Sequence, residues 1–152
     1  MKIALPIFHA MYGPHCDILE NSKVVAAMCV KIFNAQDPGQ MEIWGDGTQL
    51  RSFCYIDDLM TGLDKLIEND VQEPINMGSD ECITMTTLAD KLIKISGKRI
   101  EKNYLPSGPA GCMRRNSDNT KITELTEWKP NYSLDQGLKN TYEFIKDQLT
   151  EK

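Results

Sequence analysis

Residues 44–58 read WGDGTQLRSFCYIDD. Gly45-Asp46-Gly47 is a turn signal, because glycine and aspartate tolerate the positive φ that tight reversals need. β-prone runs flank it, MEIW before and QLRSFCYI after, which predicts two strands joined as a hairpin. Asp57-Asp58 stands where the next helix begins. One of the two is expected to cap it, with Leu59, Leu63, Leu66 and Ile67 along one side. Strands that lead directly into a capped helix set an α/β reading, and the rest of the chain extends it.

Upstream, residues 3–12 (IALPIFHAMY) form a nearly continuous apolar run, as in a buried parallel strand. Pro6 is in tension with that, since proline is tolerated only at edge or terminal strand positions. Residues 22–35 predict a helix with Ser22 as cap and Val24, Met28, Ile32 and Ala35 on one face, ended by Pro38-Gly39. Downstream, EPINMG predicts a short strand. Thr84 caps a helix through Leu88, Leu92 and Ile95 that Gly97 closes. RIEKNYLP is a further strand, followed by the loop SGPAGCMRRNSDN. Thr120 opens a short helix ending near Trp128-Lys129-Pro130. Ser133 to Gln136 (SLDQ) is a capping box for a last helix striped by Leu134, Leu138, Tyr142 and Ile145.

The 152 residues suit a single domain, 1–152. Net charge is -5. That excludes nucleic acid as the main partner, because phosphate-backbone binding needs a broad basic face. It leaves room for a small anion held by local cations. The five cysteines are odd in number and widely spaced, with no C-x-x-C pair. No disulfide framework or metal site is expected, and reduced thiols fit a cytoplasmic protein. The apolar start is cut by Pro6, too early for a signal peptide or a membrane span.

The residues with chemistry to offer are few. Arg51 lies just past the turn, and Arg114 and Arg115 are adjacent in a Gly/Pro/Ser loop. A guanidinium fork matches phosphate oxygens, so the three would make a diphosphate clamp if they converge. Solvated surface arginines are the plainer alternative. Asp57-Asp58 reads as helix capping before it reads as a catalytic pair. Gly45-x-Gly47 and Gly108-x-x-Gly111 are not the dinucleotide fingerprint. Trp44 and Tyr55 read as core aromatics, with base stacking as the alternative. His15-Cys16 are chain neighbours that rarely face each other as nucleophile and base.

Four strings together resemble one family: MYGP, MEIWGDGTQLRSFCYIDDLMTGL, EPINMGSDE, and RRNSDN with EWKPNYSLDQGLKNTY. They resemble the C-terminal, sugar-nucleotide-binding part of the NAD-dependent epimerase/dehydratases, which are extended short-chain dehydrogenase/reductases. The similarity runs from about Ile7 to Lys146. It implies a nucleotide-sugar ligand of the GDP-sugar kind and a parent chemistry of oxidation by NAD, inversion and re-reduction. It implies that Tyr12, Gly13 and Pro14 match the loop near the nicotinamide, with residues 1–14 resembling the last strand of the nucleotide-binding domain. It implies Lys23 as acid/base, and Lys31, Gln49, Leu50, Arg51 and Arg115 as substrate contacts.

Departures from the pattern are equally informative. The Gly-rich fingerprint, the Y-x-x-x-K pair and the family's cysteine acid/base belong to the N-terminal Rossmann half, which this chain lacks. Ile7 and Ala10 stand where the family has an arginine and an asparagine. The step from Pro14 to Lys23 is one residue short. The expectations are a sugar-nucleotide-binding part with no NAD site of its own, not catalytic alone. Two alternatives are a half that works with a separate cofactor-domain chain, and an interaction module without ligand. The face of residues 3–12 and the helix at 58–69 should be left bare. Self-association through it is expected, with strand pairing at the open edge as one route.

Overall fold

The computed structural model describes residues 2–19, 22–108 and 111–151. Its strands are β1 (Leu5–Phe8), β2 (Met11–Tyr12), β3 (Gly39–Trp44), β4 (Leu50–Ser52), β5 (Cys54–Tyr55), β6 (Pro74–Met77), β7 (Cys82–Thr84), β8 (Ile100–Leu105) and β9 (Arg114–Arg115). Its helices are α1 (Val24–Asn34), α2 (Ile56–Glu68), α3 (Met85–Ser96), α4 (Thr120–Thr126) and α5 (Leu134–Thr150). The α/β class is as expected.

Two cores hold the chain together. The larger lies where α1, α3 and α5 pack on one another and on β3, with Ile32, Ile43, Leu88, Leu92, Leu138 and Ile145 fully buried. The smaller joins α2, β6 and α4 through Leu59, Leu66, Ile75, Met77, Ile122 and Trp128. Burying each such side chain contributes about 1.5–3 kcal/mol.

Local signals hold where a cap decides the geometry. Thr84 accepts a hydrogen bond from the Thr87 N–H, Gly97 closes α3 at φ 72°, and Ser133 with Gln136 forms the reciprocal capping box of α5. In α1 the cap is Lys23, not Ser22, and the buried stripe is Val25, Met28, Cys29 and Ile32. The expected face through Val24 and Ala35 is therefore rotated by one residue. Lys98 completes α1 from outside, its ammonium donating to the carbonyls of Ile32, Phe33 and Ala35.

The hairpin expectation is overturned. β3 and β4 do not pair: β3 runs parallel to β8 from Gly39↔Ile100 to Trp44↔Leu105. β4 lies in another sheet, antiparallel to β7 and parallel to β9. Gly45 and Gly47 do adopt positive φ (80° and 77°). They make a corner that changes sheets. Asp46 fixes it by accepting from the Thr48 hydroxyl (2.7 Å) and N–H (3.0 Å). Those two bonds hold its carboxyl below the usual aspartate range.

The run 3–12 is not one buried strand. It breaks at Ala10 (φ 39°) into β1, parallel to β6, and β2, parallel to β5. The register sets Leu5 and Ile7 opposite Pro74 and Asn76, the uncovered face of β6, so they are 45% and 49% exposed. The bare apolar face is as expected. The tension at Pro6 also resolves. His9 N–H donates to Met77 O. Alternation then turns the Ile7 and Leu5 amides toward β6 and the Pro6 nitrogen toward the open edge, where a missing donor breaks no ladder bond. A proline on that edge opposes the strand-pairing route to self-association.

Asp58 is a further correction. The cap of α2 is Tyr55, with no side-chain hydrogen bond. Asp58 is buried, and its carboxylate accepts from the backbone N–H groups of Asn131 (2.8 Å) and Tyr132 (3.1 Å). It ties the segment before α5 to the start of α2. On α2 itself Leu59 and Leu66 are buried as expected, whereas Ile67 is exposed.

Candidate functional site

The β4–β9 register places Leu50 opposite Arg114 and Arg51 opposite Arg115. Register partners on a parallel pair project to the same face, so Arg51 and Arg115 are neighbours and Arg114 is turned away. The Leu50 N–H donates to Met113 O at 2.8 Å, locking that alignment. Arg51 is half-buried, with one guanidinium nitrogen on its neighbour's carbonyl, Leu50 O, at 2.8 Å. A Cβ built on Gly111 would lie 3.5 Å from its other terminal nitrogen. Among the described residues no ion pair includes Arg51, Arg114 or Arg115; the pairs that form use Arg99 and lysines.

Gln49, two residues before Arg51, is 3% exposed and its side-chain carbonyl has no hydrogen-bond partner among the described residues. A buried acceptor left open costs about 1–3 kcal/mol. The loop behind the arginines is firmly held. Ser117 N–H donates to Ser52 Oγ, Ser117 Oγ to Asn119 Oδ1, and the Asn119 side chain to Gly78 O. The N-S-D-N string thus serves to anchor β9 onto β4 and the end of β6. No local sequence signal carries that role, because the outside partners Ser52 and Gly78 are distant in the chain.

The other expected residues are dispersed. Lys23 is exposed at the head of α1. Lys31 donates to Glu42 O (3.2 Å) and sits 5.5 Å from the centroid of the Trp44 ring. Trp44 is 55% exposed, which overturns the core reading for it, while Tyr55 is buried as expected. Trp44 closes β3 opposite Leu105, with the Lys31 ammonium and Gly108 beside its side chain. Tyr12, Gly13 and Pro14 are packed into the protein. The Tyr12 ring meets Phe53 and Tyr55 edge-on, its hydroxyl donates to Leu134 O, and burial pushes that hydroxyl's pKa well up. A Cβ on Gly13 would fall 2.4 Å from Ile56 Cγ2. Cys54 is buried too, and desolvation with the Asp58 carboxylate nearby raises its thiol to about 12, too high for proton transfer near neutral pH.

A model of the NAD dependent epimerase/dehydratase family matches residues 1–78, just over half of the 152. The chain belongs to that family. It is 40% identical to GDP-mannose 3,5-epimerase of Arabidopsis thaliana, over 93% of this chain and 37% of that protein. It is 32% identical to UDP-glucuronic acid decarboxylase 5 of the same plant, over 84% and 36%. The fold superposes on UDP-glucuronic acid 4-epimerase from Bacillus cereus, solved with UDP-glucuronic acid and NAD, with a TM-score of 0.82 and 31% identity. That match covers 97% of this chain and 46% of that one. UDP-glucose 4-epimerase from Thermotoga maritima, solved with UDP-glucose, gives a TM-score of 0.83 at 28% identity, over 95% and 46%. This member of the epimerase family therefore spans less than half the length of those relatives, and it corresponds to their C-terminal part. No helix among its described residues is long and apolar enough to cross a membrane.

Proposed function

We propose that this chain binds a nucleotide-diphosphate sugar of the GDP-sugar kind and holds no NAD by itself. The observation that carries the reading is the un-neutralised Arg51–Arg115 pair in register on one face. A diphosphate supplies the missing charge and accepts bidentate hydrogen bonds from both forks. Gln49, assigned to the substrate by the family resemblance, lies buried behind this pair with its carbonyl unpartnered. The exposed ring of Trp44, with the Lys31 ammonium near it, offers a stacking surface for the base. Relatives named GDP-mannose 3,5-epimerase support the GDP-sugar class. Residues present do not fit NAD. Tyr12 and Gly13 are packed against Ile56, Phe53 and Tyr55, and no glycine-rich fingerprint follows a strand. Lys23 is the residue this reading assigns to proton transfer once a cofactor-bearing unit is supplied.

Calorimetric titration tests this. GDP-mannose should bind, and NAD should not bind at micromolar concentration. Arg51→Ala should weaken GDP-mannose about tenfold or more, and Trp44→Ala by roughly the loss of one base stack, about 1–3 kcal/mol. Wild type binding no better than Arg51→Ala sinks the reading.

The bare face of β1 favours a second role as an interaction surface. Ile3, Leu5, Ile7 and Met11 are all 45–49% exposed, and exposed apolar side chains grouped in this way mark interaction surfaces. Light scattering should show concentration-dependent self-association that Ile7→Asp reduces, or a complex once an epimerase nucleotide-binding half is added. A strict monomer at high concentration, with no complex on mixing, counts against it.

A further inference from the structure

We propose that Thr86 is a positioning residue for Arg51, its hydroxyl pinning, to the end of β8, the corner that delivers Arg51. This rests on the binding reading above. The corner Gly45–Gln49 delivers Arg51, and its carbonyls are captured by the start of α3. Met85 N–H donates to Gln49 O (3.1 Å), and Thr86 N–H donates to Gly47 O (3.1 Å). The next free amide, Thr87 N–H, goes to Thr84 Oγ1 (3.0 Å). The first donors of this helix are thus engaged with protein, and its N-terminus is not an anion site.

Thr86 adds what no other residue of that turn provides. Its hydroxyl also donates to Gly47 O (3.2 Å) and lies 3.0 Å from the Tyr104 hydroxyl. A threonine hydroxyl has one proton. With that proton on Gly47 O, the Tyr104 O–H donates to Thr86 Oγ1. Tyr104 is in β8, one residue before its end. One oxygen therefore ties the corner, four residues before Arg51, to the end of β8. The junction is tight: a Cβ on Gly47 would fall 2.3 Å from Thr86 Oγ1 and 2.6 Å from Tyr104 Cε1. Thr86 reaches neither arginine, so it acts only by holding the corner.

Thr86→Val keeps the shape and removes both bonds. GDP-mannose affinity should fall on the order of fivefold to tenfold. Thr86→Ser should restore it, and Tyr104→Phe, which breaks one bond, should lose about twofold to threefold. In an Arg51→Ala background Thr86→Val should cause no further loss, since the Arg51 fork it positions is gone. Full additivity, or wild-type affinity in Thr86→Val, overturns the proposal. Amide hydrogen exchange gives a ligand-independent reading. Leu50 and Arg51 should exchange faster in Thr86→Val while Leu88 and Leu92 keep their protection. Should wild type bind no GDP-mannose, the binding reading fails by itself and exchange alone decides: unchanged Leu50 and Arg51 amides overturn the pin, and selectively faster ones uphold it.

Discussion

Asp58→Ala is expected to destabilise the fold by about 2–4 kcal/mol, since two backbone amides lose a charged acceptor and each such loss costs about 1–3 kcal/mol. The carboxylate is 2% exposed and accepts from two backbone amides, Asn131 and Tyr132. Alanine leaves both N–H groups without a partner and opens a void beside them. Next to it, Trp128 Nε1 donates to the Asp58 carbonyl at 3.0 Å, so a loosened α2 start also disturbs the smaller core. Asp58→Asn keeps the volume and one acceptor oxygen but sets an NH2 group against an amide, so an intermediate loss is expected. Chemical denaturation reads both. A midpoint in Asp58→Ala close to wild type would show that the tether does not hold the segment before α5.

The same residue shows where sequence reading stops. An aspartate at a helix start serves either as a cap or as a remote acceptor, and both leave the same string. The bonds that separate the two readings join positions more than seventy residues apart. Thr84, Gly97 and Ser133 with Gln136 were legible because cap and capped amide lie within one turn. The corner at Gly45-Asp46-Gly47 was legible as a reversal. Which strand lies beside β3 was not, because its partner β8 begins at Ile100. Arg51 and Arg115 were legible as phosphate-binding types, and the resemblance named them. Their convergence depends on a two-residue strand, β9, inside a stretch that reads as loop. Trp44 was misread because a tryptophan in a strand is usually buried, and the burial alternation of β3 (Met41 and Ile43 in, Glu42 and Trp44 out) sets it outward.

The double variant Arg51→Ala/Arg115→Ala is expected to lose nucleotide-sugar binding by two to four orders of magnitude. Each charge-assisted fork to a phosphate contributes about 1.5–3 kcal/mol, and every 1.4 kcal/mol is tenfold. The register supports near-additive losses if each fork grips its own phosphate, and less than additive losses if both share one. The slope of affinity against salt should fall in the variant, since two cations no longer meet the diphosphate. Arg51→Lys is the informative control. It keeps the charge and loses the planar fork, so most of the affinity should go even though the electrostatic field is retained. Stability should move little. No ion pair among the described residues includes Arg51 or Arg115, so removing both breaks none. The double variant should therefore melt near the wild-type temperature while binding far more weakly. A pair kept for folding would show the reverse, a clear loss of stability on removal. Thermal denaturation and GDP-mannose titration on the same samples separate the two.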